Sequence, residues 1–80
     1  MKPTRIQWGI LHEMRDGAII LSYYHRGRWR YLAVADNGWR CWPVTQKTVD
    51  ALSGYGWIDG YDPVYTITPA GRAALKGGAK

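Results

Sequence analysis

Between residues 23 and 42, arginines are threaded among flat aromatic rings: Tyr23, Tyr24, Arg26, Arg28, Trp29, Arg30, Tyr31, Trp39, Arg40 and Trp42. Guanidinium groups meet phosphate oxygens and bases stack on rings, so a surface for nucleic acid, single strands included, would use this composition. The same residues carry a competing reading. The chain has no phenylalanine, so tryptophan and tyrosine must supply core volume and some of these rings are buried for packing alone. Trp39 and Trp42 have opposite parity along a strand, as do Trp29 and Arg30, so no single core face takes them all.

Other chemistry finds little footing. His12 stands beside Glu13 and His25 lies in a basic turn, with no carboxylate, cysteine or serine at a spacing that would make a nucleophile and base. Cys41, between Arg40 and Trp42, is a lone strand cysteine, more often structural than reactive. Two histidines and one cysteine without paired spacing do not compose a metal site. The ten glycines are scattered as turn punctuation rather than gathered in a phosphate loop. The expectation is therefore a protein that is not an enzyme, with no metal and no cofactor.

The elements that must position the arginine and aromatic cluster can be read from pattern. Thr4 and Gln7 have capping-box spacing, and Ile6, Ile10 and Met14 recur every four residues with Leu11 beside them, which predicts a helix over 4–16 ending near Gly17. Residues 18–44 read as a β-meander. Ile19 to Tyr24 is β-branched and aromatic, and His25-Arg26-Gly27 is a turn. Arg28 to Ala35 alternates, with Trp29, Tyr31 and Ala33 on one face and Arg30, Leu32 and Val34 on the other. Asn37-Gly38 predicts a type I′ hairpin into a return strand from Trp39 to Trp42, with Pro43 at its edge. Thr45 starts a helix over 45–54, stapled by Val44, carrying Val49 and Leu52 inward and stopped by Gly54 and Gly56. Trp57-Ile58 and Tyr65-Thr66-Ile67 flank a turn at Asp59–Pro63, and Thr68-Pro69 opens a last helix over 69–76. The expected core is Ile6, Ile10, Met14, Val49, Leu52, Ile58, Ile67 and Leu75.

From Thr48-Val49-Asp50-Ala51-Leu52 through Gly56-Trp57-Ile58 to Tyr65-Thr66-Ile67-Thr68-Pro69-Ala70-Gly71-Arg72, the order resembles the end of a winged-helix domain of the MarR and PadR type. The resemblance covers roughly residues 44–76. It implies a DNA-binding module in which 45–54 is the recognition helix and 57–67 the wing, of the kind found in regulators of transcription, including small phage or mobile-element proteins. It departs from that pattern where a second helix should precede the recognition helix, a place taken here by the meander. The wing also lacks arginine: residues 43–68 carry Lys47 against Asp50, Asp59 and Asp62, a local −2, whereas residues 24–42 set four arginines against Asp36, a local +3. Phosphate neutralisation is thus expected mainly from the meander and the C-terminal helix.

Eighty residues make a single α+β domain, with a core spanning about 4–76 and a flexible tail at 77–80. A net charge of +5 favours an anionic partner, nucleic acid first and DNA before RNA. One cysteine fits a reducing, cytoplasmic setting, and apolar runs of no more than four residues predict neither a secretory signal nor a membrane span. The expected contacts are Arg26, Arg28, Arg30, Arg40, Gln46 and Lys47, with Trp29, Tyr31, Trp39 and Trp42 as aromatic partners. One short recognition helix offers few base contacts, so a homodimer is expected. The alternative is a protein-interaction module on the same scaffold, since Trp, Tyr and Arg dominate interface hot spots.

Overall fold

Thr4 opens the first helix, α1 (Arg5–Arg15), through a complete capping box: its hydroxyl accepts from the Gln7 backbone at 3.2 Å, and the Gln7 side chain accepts from the Thr4 backbone at 2.9 Å. This is a computed structural model, which describes residues 2–38, 40–61 and 63–78. The buried stripe of α1 is Ile10, Leu11 and Met14, with Trp8 packed at its margin and donating its indole N–H to the Leu75 carbonyl at 3.3 Å. Ile6, expected in the core, is 71% exposed. At about 100° per residue Ile10, Met14 and Leu11 span an arc of roughly 100°, and Ile6 falls about 40° beyond its Ile10 edge, off the buried stripe.

The meander follows as β1 (Ile19–His25), β2 (Arg28–Val34) and β3 (Cys41–Val44), with no helix in it among the described residues. The return strand is shifted from the expected Trp39–Trp42, and Trp39 itself lies outside the described residues. The pairing Val34↔Cys41 is nevertheless the register that a two-residue Asn37-Gly38 loop would give. The loop conformation differs. Asn37 is absent from the positive-φ residues, and Gly38 (φ 73°) instead donates its N–H to the Ala35 carbonyl, so a type I′ turn is not formed there. The left-handed pair sits at the other end of β2, where Arg26 (φ 51°) and Gly27 (φ 80°) join His25 to Arg28. Pro43 is accommodated because β3 is an edge strand.

Helix α2 (Gln46–Gly54) is capped by Thr45, whose hydroxyl accepts from the Thr48 backbone at 3.2 Å. It ends in a Schellman motif: Gly56 N–H reaches the Ser53 carbonyl, Trp57 N–H reaches the Leu52 carbonyl, and Gly56 takes φ 76°. The short strands β4 (Ile58–Tyr61) and β5 (Val64–Ile67) form a hairpin, and helix α3 (Pro69–Lys76) closes the chain. β5 pairs with β1, which joins hairpin and meander into a five-stranded antiparallel sheet of order β3-β2-β1-β5-β4.

Thr68 and Gly71 bind the ends of α2 and α3 together. Thr68 Oγ1 accepts from Gly71 N–H at 3.0 Å and donates to the Gly56 carbonyl at 2.6 Å, while Thr68 N–H donates to the Trp57 carbonyl. A Cβ at Gly71 would collide with that Trp57 carbonyl oxygen and with Ile67 Cγ1. Gly71 therefore lies closely against the residue leading into β4.

All three helices contribute to one core against one face of the sheet: Ile10, Leu11 and Met14, then Val49 and Leu52, then Leu75, over Ile20, Ala33, Val44 and Ile58. Ile67 is half-buried at its margin. Full burial of Leu11, Ile20 and Leu52 contributes about 1.5–3 kcal/mol each. Among the described residues no helix is long and apolar enough to cross a membrane.

Candidate nucleic-acid interface

The β1–β2 hairpin outruns its neighbours. β5 pairs with β1 only as far as Leu21, and β3 pairs with β2 only from Tyr31 onward, so Tyr23–Arg30 projects as a two-stranded arm whose every residue is exposed. Strand alternation sorts its side chains. One face holds Tyr24 against Trp29, ring centroids 5.5 Å apart and edge-on at 70°. The other face pairs Tyr23 with Arg30 and His25 with Arg28, and Arg26 stands at the tip. Among the described residues none of these three arginines makes an ion pair, so the arm presents +3 to solvent.

At the foot of the arm, a groove of about 670 Å³ runs between β2 and the start of α2, lined by Arg28, Trp29, Arg30, Pro43, Thr45 and Gln46 among others. Sequence spacing alone could not show that α2 begins beside the arm, yet this brings Gln46 to the arginines. Lys47 is exposed on the same first turn.

Arg40 is not part of this group. It sits at the opposite end of the sheet, where its Nη2 lies 3.3 Å from Glu13 Oε1 and its guanidinium stacks 5.6 Å over Trp42. The local +3 counted along the chain thus merges an open arm with a neutralised corner. The ring residues divide similarly. Tyr31 is half-buried and edge-on to Tyr65, Trp42 packs against the core, and only Trp29 stands open, at 51% exposed. Trp39 lies outside the described residues. Tyr24, 63% exposed beside Trp29, joins the surface although it was not among the expected contacts. Its signal was available: it pairs with Trp29 in any hairpin that turns at Arg26-Gly27.

The β4–β5 hairpin offers little to an anion. Asp59 accepts from the Gly60 backbone at 2.8 Å, and Tyr61 is 89% exposed beside it. Among the described residues no three His, Cys, Asp or Glu side chains converge as metal ligands. Comparison with family models, curated proteins and solved structures finds no match.

Proposed function

We propose that this chain is a small nucleic-acid-binding module of winged-helix-like design, DNA before RNA, that grips phosphates with the Tyr23–Arg30 arm. The observation that carries the reading is the arm itself: Arg26, Arg28 and Arg30 without an ion pair among the described residues on a projecting hairpin, with Trp29 and Tyr24 exposed on the face opposite Arg28 and Arg30. Winged-helix character is supported by the run of α2, the β4–β5 hairpin and α3 and by the pairing of β1 with β5, while β2 and β3 stand where that pattern has a helix. In this reading the arm and the first turn of α2 take the contacts that an arginine-bearing wing would make, because the β4–β5 hairpin carries acid instead. Gln46 and Lys47, at the foot of the arm, would reach the same backbone or an adjacent base edge. Regulation of transcription follows as the expected use.

The test is fluorescence anisotropy with duplex and single-stranded DNA across a salt series. Three phosphate contacts give a slope of log K on log salt near −2.7 for duplex, about a 40-fold loss over a fourfold rise in salt. Combined Arg28→Ala and Arg30→Ala should remove about two thirds of that slope, and Lys47→Ala no more than a third. Binding abolished by Lys47→Ala but intact without Arg28 and Arg30 would put the interface on α2 alone. Affinity indifferent to salt would favour the protein-interaction reading, in which Trp29 and Tyr24 anchor a partner.

A further inference from the structure

Along one edge, β2 runs on after its partner strand has ended. Ala35 N–H donates to the Arg40 carbonyl at 2.8 Å, so the odd-numbered residues of β2 turn their backbone N–H and C=O toward β3. Ala33 and Tyr31 meet Trp42 and Val44 there. Trp29 is next in that series and in register would meet Gln46, but Gln46 has already entered α2. On its other side Trp29 faces Tyr24, and Tyr24, like Ser22 with its N–H on the Pro63 carbonyl, turns its own backbone away from β2. Among the described residues no backbone hydrogen bond crosses from Trp29 to α2. Its N–H and C=O therefore open into the groove at the foot of the arm. That groove is lined by Arg28, Arg30 and the rings of Tyr23, Trp29 and Tyr31, with no carboxylate among the described residues.

We infer that this groove receives one unpaired base of a single strand. The inference rests on the nucleic-acid reading above and adds what the arm does with the base between its phosphates. A lone N–H beside a lone C=O matches the neighbouring acceptor and donor on the pairing edge of any base, an edge that a duplex keeps occupied. A peptide strand fits less well. Adding a strand takes several successive pairs, and the free edge is one residue long, closed by α2 at one end and by the Arg26-Gly27 turn at the other. The side chains suit a nucleotide as well. Strand alternation puts the indole on one side of the edge and the two guanidinium groups on the other, so the ring can stack a base while Arg28 and Arg30 hold its phosphates. Tyr24 meets the indole edge-on from the β1 side, which leaves the groove side of Trp29 for the base. The volume of about 670 Å³ is that of a pocket for a small flat ligand.

Anisotropy of the full chain tests this with three labelled probes, each over a salt series: oligothymidylate, the same strand with abasic residues throughout, and a duplex of equal length. Trp29→Ala should weaken oligothymidylate binding about 5- to 150-fold, the range for one stacked base. Its salt slope should stay near about −2.1, since three phosphate contacts on a single strand are untouched. Affinity for the duplex and for the abasic strand should change less than about twofold, because neither offers a free base to stack. The unaltered protein reports independently of any folding defect, since abasic residues should cost it a loss within the same range. Salt-dependent binding that ignores both Trp29→Ala and the abasic residues would overturn the base groove and leave the phosphate grip standing. So would a Trp29→Ala loss shared equally by duplex and abasic strand. No salt-dependent binding to any of the three probes would overturn the nucleic-acid reading and the groove with it.

Discussion

Arg26 breaks a local rule at the tip of the arm, and replacing it separates stability from binding. Both central residues of the turn have positive φ, 51° at Arg26 and 80° at Gly27. A side chain with a Cβ in the left-handed region costs about 1–2 kcal/mol, much of which asparagine recovers through local hydrogen bonding. Arg26→Asn should therefore stabilise the fold by about 0.5–1 kcal/mol. For a domain of this size that raises Tm by roughly 2–8 °C. The same change removes one cation from the arm, so the duplex salt slope should shrink by about 0.9. Arg26→Lys retains both charge and strain and should leave both quantities near the parent values. Thermal melts by circular dichroism and anisotropy over a salt series read the two effects independently. An Arg26→Asn protein that melts no higher refutes the strain argument. One that melts higher but keeps its full salt slope shows that the tip touches no phosphate.

Further expectations follow from contacts on the helix side. Gly71→Ala should destabilise by about 1–3 kcal/mol despite alanine's better helix propensity, because its Cβ meets the Trp57 carbonyl. Gly9→Ala, in a helix position with open space around it, should instead raise Tm, gaining about 0.5–1 kcal/mol. Thr68→Ala loses the α3 cap and the bond to Gly56 and should cost about 0.5–2 kcal/mol, with affinity per folded molecule unchanged in anisotropy. Arg40→Ala should leave the DNA salt slope intact and alter stability by no more than about 1 kcal/mol, since its partner Glu13 is an exposed-rim pairing.

Local chemistry explains why so much of the scaffold was legible beforehand. Thr4, Thr45 and Thr68 each cap the helix expected of them, because a hydroxyl three residues ahead of a backbone N–H is a short-range fact. The meander and its register were likewise visible in alternation and in Asn37-Gly38. What failed depended on distance. Ile6 fits a four-residue repeat but not the stripe centre, which was set by where α3 and the sheet lie. Arg40 belongs to a charge cluster in sequence and to Glu13 in space. The foot of the arm required knowing that α2 starts beside β2, about which propensity says nothing.

The ladder joining β1 to β5 consists of Ile20↔Tyr65 and Leu21↔Val64, with Ser22 N–H reaching the Pro63 carbonyl, whereas β1–β2 zips continuously from Ile19↔Val34 to His25↔Arg28. Every other strand pairing and the Thr68–Gly56 clasp lie within residues 19–44 or 56–71. The sheet is thus built from two contiguous parts, each held by contacts between near neighbours in sequence, and such contacts form early because little loop entropy opposes them. The β1–β5 seam and the docking of α1 against α3, through Trp8 and Leu75, are the long-range steps that remain, so the meander and the β4–β5 hairpin are expected to form before the sheet closes. Amides at Ile20–Ser22 facing β5 accordingly belong to the least protected part of the sheet core, and their exchange measures how often the two parts separate.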